Sequence, residues 1–183
     1  LEYRDEGEFI GDVLTEISRV KNEQIPLEHF YSSSCGEEIF RKIYREYDER
    51  LKRNRLIDFD DMLTYTYELF SQRKDILSAW QKKYRYILID EFQDTSGMQW
   101  KNFRPLVVNS LSEGCRTMIV GDVKQSIYRW RNGDWSLLAN EVERQFSSLG
   151  VNTVILKNNW RSAPEIVNFN NTSVSYTHLT LPT

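Results

Sequence analysis

The sequence predicts an α/β layered fold built on a mostly parallel sheet. Short apolar runs of strand length stand at residues 86–89 (YILI), 117–120 (TMIV) and 154–156 (VIL), and the stretches between them carry apolar residues at helical spacing. Continuous apolar runs suit parallel strands buried on both faces, and their alternation with helices builds a layered sheet. Polar or acidic residues follow each run directly. In open parallel sheets, ligands gather outside the carboxyl ends of the strands.

Residues 1–33 are polar and only weakly periodic, and end in a Ser32-Ser33-Ser34 break. Ser34 and Glu37 have the spacing of a capping box, which predicts a helix start. Ile39, Phe40, Ile43, Tyr44, Tyr47 and Leu51 then form one apolar stripe. Its opposite face carries Arg41, Lys42, Arg45, Arg50, Lys52, Arg53 and Arg55 among acids and reads as solvated, with a DNA-binding face as the alternative. Asp58 is placed to cap a helix running through Phe59, Met62, Leu63 and Phe70. A short helix over 75–80 leads into the first strand. A helical stretch with Trp100, Phe103 and Leu106 follows, with Pro105 expected near an end or at a kink. The second strand stops at Gly121-Asp122, and Asp134 is placed to cap a helix through Leu138, Val142 and Phe146. After the third strand, Ser162 and Glu165 have capping-box spacing, with Pro164 in the first turn, where a missing donor costs nothing.

Composition narrows the function classes. The chain has 183 residues, 40% apolar, with 24 basic against 27 acidic side chains and a net charge of −3. That supports a buried core and argues against a uniformly basic nucleic-acid binder, but not against a local basic groove. Cys35 and Cys115 stand far apart without Cys-x-x-Cys or paired histidines, which argues against structural zinc and a disulfide framework. No apolar run approaches the ~20 residues of a membrane span and no signal peptide opens the chain, so a cytoplasmic location is expected, with no membrane partner. The chain starts without Met inside a charged, helix-prone stretch, as a fragment would. Residues 174–183 (VSYTHLTLPT) fit nothing before them and look like read-through of a sequencing-library adapter, so they are set aside along with His178. The remaining histidine, His29, reads as a surface or packing residue.

Three polar clusters carry the chemistry. The first is LIDEFQD, where an acid directly after a strand can hold Mg²⁺ over a triphosphate and the next can orient or deprotonate a water: Asp90 and Glu91 fit these roles. The second is GDVKQSIYRWR. Gln125 suits the sensing of a terminal phosphate, while Tyr128 and Trp130, interleaved with Arg129 and Arg131, suit single-stranded nucleic acid, bases on rings and phosphates on guanidiniums. The third is NNWRS, where Arg161 stands between a strand and a capped helix as an arginine finger would, beside Trp160, which can stack on a purine. Singly, each has a plain structural reading as well: acids that end a strand, core aromatics of a loop, a packed Trp beside a surface charge.

Taken in order, DEFQD, GDxxQSIYxWR and NxRS resemble the superfamily-one DNA helicases of the UvrD and RecB type, over residues 56–170. The GDVKQSIYRWR form looks nearer to the RecB/AddA helicase-nuclease subunits. The resemblance implies a partial RecA-like P-loop NTPase motor domain preceded by a helical insertion, using ATP and Mg²⁺ on single-stranded or duplex DNA, with a helicase-nuclease subunit as a candidate partner. By position, it implies that Asp90 holds magnesium, Glu91 is the general base and Gln93 couples the nucleotide and DNA sites. Gln125 would meet the γ-phosphate, Tyr128, Trp130 and Arg131 the single strand, and Arg161 would be the arginine finger. Trp160, where the family usually has Tyr, would stack on adenine.

One departure is severe: no G-x-x-x-x-G-K-[ST] loop, which cradles the phosphates in this family, occurs in the sequence. The second motor domain's downstream motifs are absent too. The expectation is a middle slice: 1–57 the end of the helical insertion, 58–156 the latter half of the first motor domain, and 157–173 the start of the second. Such a slice should be inactive alone. Two other readings compete: a non-catalytic DNA-binding scaffold, and a magnesium-dependent nuclease using Asp90, Glu91, Asp94 and Asp122.

Overall fold

A computed structural model describes residues 6–127, 132–156, 158 and 161–180, the last seven by backbone only. The chain divides into two compact units, Leu1–Leu149 and Gly150–Thr183.

The first unit opens with three helices, α1 (Glu6–Glu23), α2 (Glu37–Arg53) and α3 (Phe59–Gln72). Val13, Ile17 and Val20 recur on one side of α1 and are buried with Phe30 and Phe40 in a common core. A regular helix therefore replaces the weakly periodic stretch expected over residues 1–33. Its stripe is masked in the sequence because Glu16, Lys21 and Asn22 are buried beside it. The Glu16 carboxylate accepts from Ser32 Oγ (2.6 Å), from the N–H (2.8 Å) and Oγ (2.7 Å) of Ser33, and from Ser34 N–H (3.1 Å). Burial pushes this carboxyl up, but the serine hydrogen bonds outweigh it and hold it below the ordinary carboxylate value. The serine turn is thus spent on Glu16, and the capping box expected at Ser34–Glu37 does not form: Gly36 stands at the N-cap of α2 with no side-chain cap.

Asp58 caps α3 as the sequence predicts, in a reciprocal box in which its carboxylate accepts Asp61 N–H (2.7 Å) and Asp61 accepts Asp58 N–H (3.2 Å). The same two acids hold buried Lys21, whose Nζ lies 2.6 Å from Asp58 and 2.7 Å from Asp61, and Tyr47 OH donates to Asp58 at 2.9 Å. Burial opposes charge on Lys21, yet its bonds to the two aspartates keep the ammonium ionised well above the usual lysine range. Burial, then the Asp58 carboxylate, pushes the Tyr47 hydroxyl up to about 12. On α2, Arg41, Arg50, Lys52 and Arg53 pair with acids one turn back, as a solvated face does.

α4 (Lys74–Lys83) leads into the sheet, and β1 (Ile87–Ile89) and β2 (Thr117–Ile119) pair in parallel with Leu88 opposite Met118. Ile87, Ile89 and Ile119 pack on a core of Phe92, Trp100, Val107, Leu137 and Phe146. Leu88 is 74% and Met118 56% exposed. The expectation of strands buried on both faces is corrected here: successive side chains point to opposite faces, and one face alone is covered by the described residues. Between the strands, α5 (Gly97–Ser112) is capped reciprocally by Ser96 and Gln99 and runs through Pro105, which stands in its interior rather than near an end. The proline supplies no N–H for the i→i−4 bond to the Lys101 carbonyl, while its own carbonyl accepts from Gln81 of α4 at 3.1 Å. Trp100 meets Phe92 and Phe146 edge to face. Asp134 accepts from Ser136 N–H (3.0 Å), and a π turn (Leu137–Glu141) then runs into α6 (Val142–Phe146).

In the second unit, residues 154–156 are extended neither in a strand nor into a core: they are 70–83% exposed. The third strand expected there has no hydrogen-bonded neighbour among the described residues, and a strand exists only through its ladder. α7 (Pro164–Thr180) begins at Pro164 with the Ala163 carbonyl accepting from Ile166 and Val167, one residue later than a Ser162 cap requires, and continues into the residues set aside from the sequence reading.

Candidate functional site at the strand tips

Because β1 and β2 run parallel and in register, their carboxyl ends coincide. Val120 N–H donates to the Ile89 carbonyl (2.8 Å) and Phe92 N–H to the Val120 carbonyl (3.0 Å), so the pairing continues past both strands. The residues that follow each strand are thereby brought together: Asp90 and Glu91 after β1, and Gly121, Asp122 and the 3₁₀ turn Val123–Gln125 after β2.

Glu91 adopts φ 52°, ψ 37°, a left-handed conformation that costs a non-glycine residue about 1 kcal/mol or more. It turns the chain sharply into the 3₁₀ turn Phe92–Asp94. Phe92, wholly buried against Trp100, pins that turn to the core. Glu91 is consequently exposed at the tip while the next two residues are buried. Asp90 is also exposed, and its Oδ1 accepts Glu91 N–H at 2.9 Å. Asp94 ends the turn with Oδ1 buried and unpartnered among the described residues.

Gln93, 1% exposed, joins the two tips. Its Oε1 accepts Asp122 N–H at 3.1 Å and its Nε2 donates to Glu91 Oε2 at 2.7 Å. The amide orientation is dictated by its partners, since a backbone N–H can only donate and a carboxylate only accept. The approach requires Gly121: a Cβ there would stand 2.7 Å from Gln93 Oε1 and 2.8 Å from Leu138 Cδ2. Ser126 Oγ adds a bond to the Gln93 carbonyl at 3.2 Å. Asp122 in turn accepts Lys124 N–H (3.0 Å) and Gln125 Nε2 (3.0 Å), leaving Gln125 exposed at the second tip. One hydrogen-bonded chain thus runs Glu91–Gln93–Asp122–Gln125. Among the described residues no three His, Cys, Asp or Glu groups converge on a metal position, and no helix is long and apolar enough to cross a membrane.

The structure therefore brings Asp90, Glu91, Gln93 and Gln125 to one end of the sheet. Tyr128, Trp130, Arg131 and Trp160 lie outside the described residues. Arg161 is exposed, three positions before α7, and belongs to the second unit.

Residues 5–146 match the family model for the UvrD/REP helicase N-terminal domain. The chain belongs to the UvrD/REP helicase family. Similar members include a probable DNA helicase II homolog of Mycoplasma capricolum subsp. capricolum, 32% identical over 95% of this chain and 23% of that protein. The ATP-dependent DNA helicase PcrA of Bacillus subtilis is 33% identical over 85% of the chain and 20% of its own length. DNA helicase II of Haemophilus influenzae is 35% identical over 69% and 16%. The chain thus spans about a fifth of the length of these UvrD/REP relatives.

Within this UvrD/REP chain, sequence reasoning passed over Gly121 and Asp122 as site-building residues. Gly-Asp directly after an apolar run reads as a strand stop and, in one alternative, its aspartate as a nuclease acid. The one signal is Asp122 itself after Gly121, since an aspartate carboxylate readily accepts a backbone N–H two residues on, here that of Lys124.

Proposed function

We propose that this chain forms part of the first motor domain of an enzyme that couples ATP hydrolysis to movement along single-stranded DNA. The observation that carries this reading is the buried Gln93 bridge between the two strand tips, which ties an exposed carboxylate to the loop that presents Gln125. Asp90 offers an exposed hard oxygen donor of the kind Mg²⁺ takes, and Mg²⁺ when bound would offset phosphate charge there. Glu91 accepts a proton from the attacking water at its carboxylate, with Gln93 fixing that carboxylate's direction. Gln125 meets the terminal phosphate, Arg161 stabilises charge on the transferred group, and Trp160 stacks on the base. Tyr128 and Trp130 stack on DNA bases, with Arg131 on phosphate. A loop displaced by DNA shifts Asp122 N–H and so reaches Glu91 through Gln93.

In the same proposal, residues 1–57 close the helical insertion, 58–156 belong to the first motor domain and 157–173 open the second. The change from one compact unit to the other after Leu149 supports a boundary in this region. The GDVKQSIYRWR form of the middle motif, with few acids before Gln125, favours a RecB/AddA-type member serving DNA repair or recombination in the cytoplasm, with a helicase-nuclease partner subunit; a carboxylate-rich nuclease domain elsewhere in the full-length protein decides that placement. The test of the main reading is ATP turnover and strand separation by the full-length protein with and without single-stranded DNA. The proposal expects DNA to stimulate turnover, and turnover indifferent to DNA would reject it.

A further inference from the structure

The segment carrying Tyr128, Trp130 and Arg131 is followed by Asn132, a left-handed residue at φ 61°. Asparagine tolerates this conformation better than other residues with a Cβ. Its Nδ2 donates to Ser18 Oγ of α1 at 3.2 Å, a contact across 114 positions of sequence. Ser18 Oγ also accepts from Asn22 Nδ2 at 3.3 Å, and Asn22, 7% exposed, donates to Asp60 of α3 at 2.6 Å. On the other side, Gly133 bridges Ser96 in antiparallel fashion and Asp134 N–H donates to the Thr95 carbonyl at 3.0 Å. Residues 132–134 are thus fastened both to the helical layer and to the loop that leads from Glu91 into α5.

We propose that Ser18 and Asn132 are positioning residues for DNA binding: α1 holds Asn132, which directly follows the aromatic and arginine segment in sequence, and so sets how readily single-stranded DNA is gripped. This rests on the reading of Tyr128, Trp130 and Arg131 as the DNA contacts. Neither Ser18 nor Asn132 touches nucleotide or DNA in this account. Their loss acts on DNA affinity and leaves the chemistry at Glu91 intact.

The test uses the full-length protein and a short oligodeoxynucleotide. Ser18→Ala removes the hydroxyl acceptor that Asn132 shares with Asn22, which keeps its bonds to the Ser18 carbonyl (2.9 Å) and to Asp60. Asn132→Gly removes the amide while keeping a backbone free to adopt φ 61°, and Asn132→Ala removes the amide and strains the backbone. Ser18→Ala and Asn132→Gly should each raise the DNA concentration giving half-maximal stimulation of ATP hydrolysis by about fivefold, the worth of one hydrogen bond. Turnover without DNA and at saturating DNA should stay at wild-type values. The double variant should be no weaker than Ser18→Ala alone, because the Asn132–Ser18 bond is already lost there, and Asn132→Ala should be weaker than Asn132→Gly. Wild-type half-saturation in both single variants, or losses that add in the double variant, would overturn the anchor and leave the helicase reading standing. A wild-type protein that neither binds the oligodeoxynucleotide nor responds to it would overturn both.

Discussion

Gln93 is the residue on which the strand tips depend, and Gly121 is the residue that lets it reach them. A buried amide that loses a partner costs about 1–3 kcal/mol, and Gln93 has two partners on two different loops. Gly121→Ala places a methyl group 2.7 Å from Gln93 Oε1 and 2.8 Å from Leu138. Leu138 can turn aside, but the amide cannot move without giving up Asp122 or Glu91. The expected outcome is a loss of about 1–3 kcal/mol in denaturant unfolding, together with slower ATP turnover in the full-length protein. Unchanged stability and turnover would show that the contact relaxes freely. At this scale the sequence was informative about chemistry and silent about support. Asp90, Glu91 and Gln125 stand out as candidates only through the three motifs taken in order, since strands often end in acids. Nothing local to residue 93 says that its side chain turns inward to join a loop 29 positions away.

Among the elements, α3 shows what local rules can specify. Asp58 caps it through bonds to residues three positions away, and such a pattern is written in adjacent sequence. α1 shows the opposite case. Its stripe of Val13, Ile17 and Val20 is short, and the buried Glu16 and Lys21 beside it find partners in the serine turn and at the start of α3, which only the tertiary structure supplies. Residues 154–156 form no strand among the described residues for a related reason: β character in a sequence becomes a strand only where a neighbour completes the ladder. Asp58→Ala removes the α3 cap and one of two carboxylates around a buried ammonium, and should cost about 3 kcal/mol in thermal or denaturant unfolding. An effect no larger than that of an exposed aspartate would remove the Lys21 cluster from the account. Glu16 and Asp58 both bind protons more weakly in the folded chain than in the unfolded one; for Asp58, burial is outweighed by its bonds from Lys21, Asp61 and Tyr47. The unfolded chain therefore takes up protons first, so stability held at neutral pH should fall as the pH drops below about 4.5 and through the lower folded values. A flat profile over that range would contradict both assignments.

At the scale of the molecule, the first unit joins a helical layer to a two-stranded sheet whose tips carry the candidate chemistry. The family was legible from three motifs in order, because their combination is far more specific than any one of them; the first two follow β1 and β2, whereas the third follows residues 154–156, which form no strand among the described residues. The phosphate-cradling lysine loop is absent from these 183 residues. The isolated polypeptide should therefore show no magnesium-dependent ATP turnover, and measurable turnover would mean that the strand tips suffice without it. In the full-length protein, Trp130→Ala should weaken single-strand binding by about tenfold or more, the worth of one stacked base, and reduce stimulation of ATP hydrolysis by DNA. Undiminished binding and stimulation would remove Trp130 from the DNA site. The most direct test of the central claim is ATP turnover by the full-length Glu91→Gln variant, measured beside binding of a fluorescent ATP analogue. If Glu91 accepts the proton of the attacking water, turnover should fall by a factor of about 10² or more while nucleotide binding persists; turnover equal to wild type would contradict the claim.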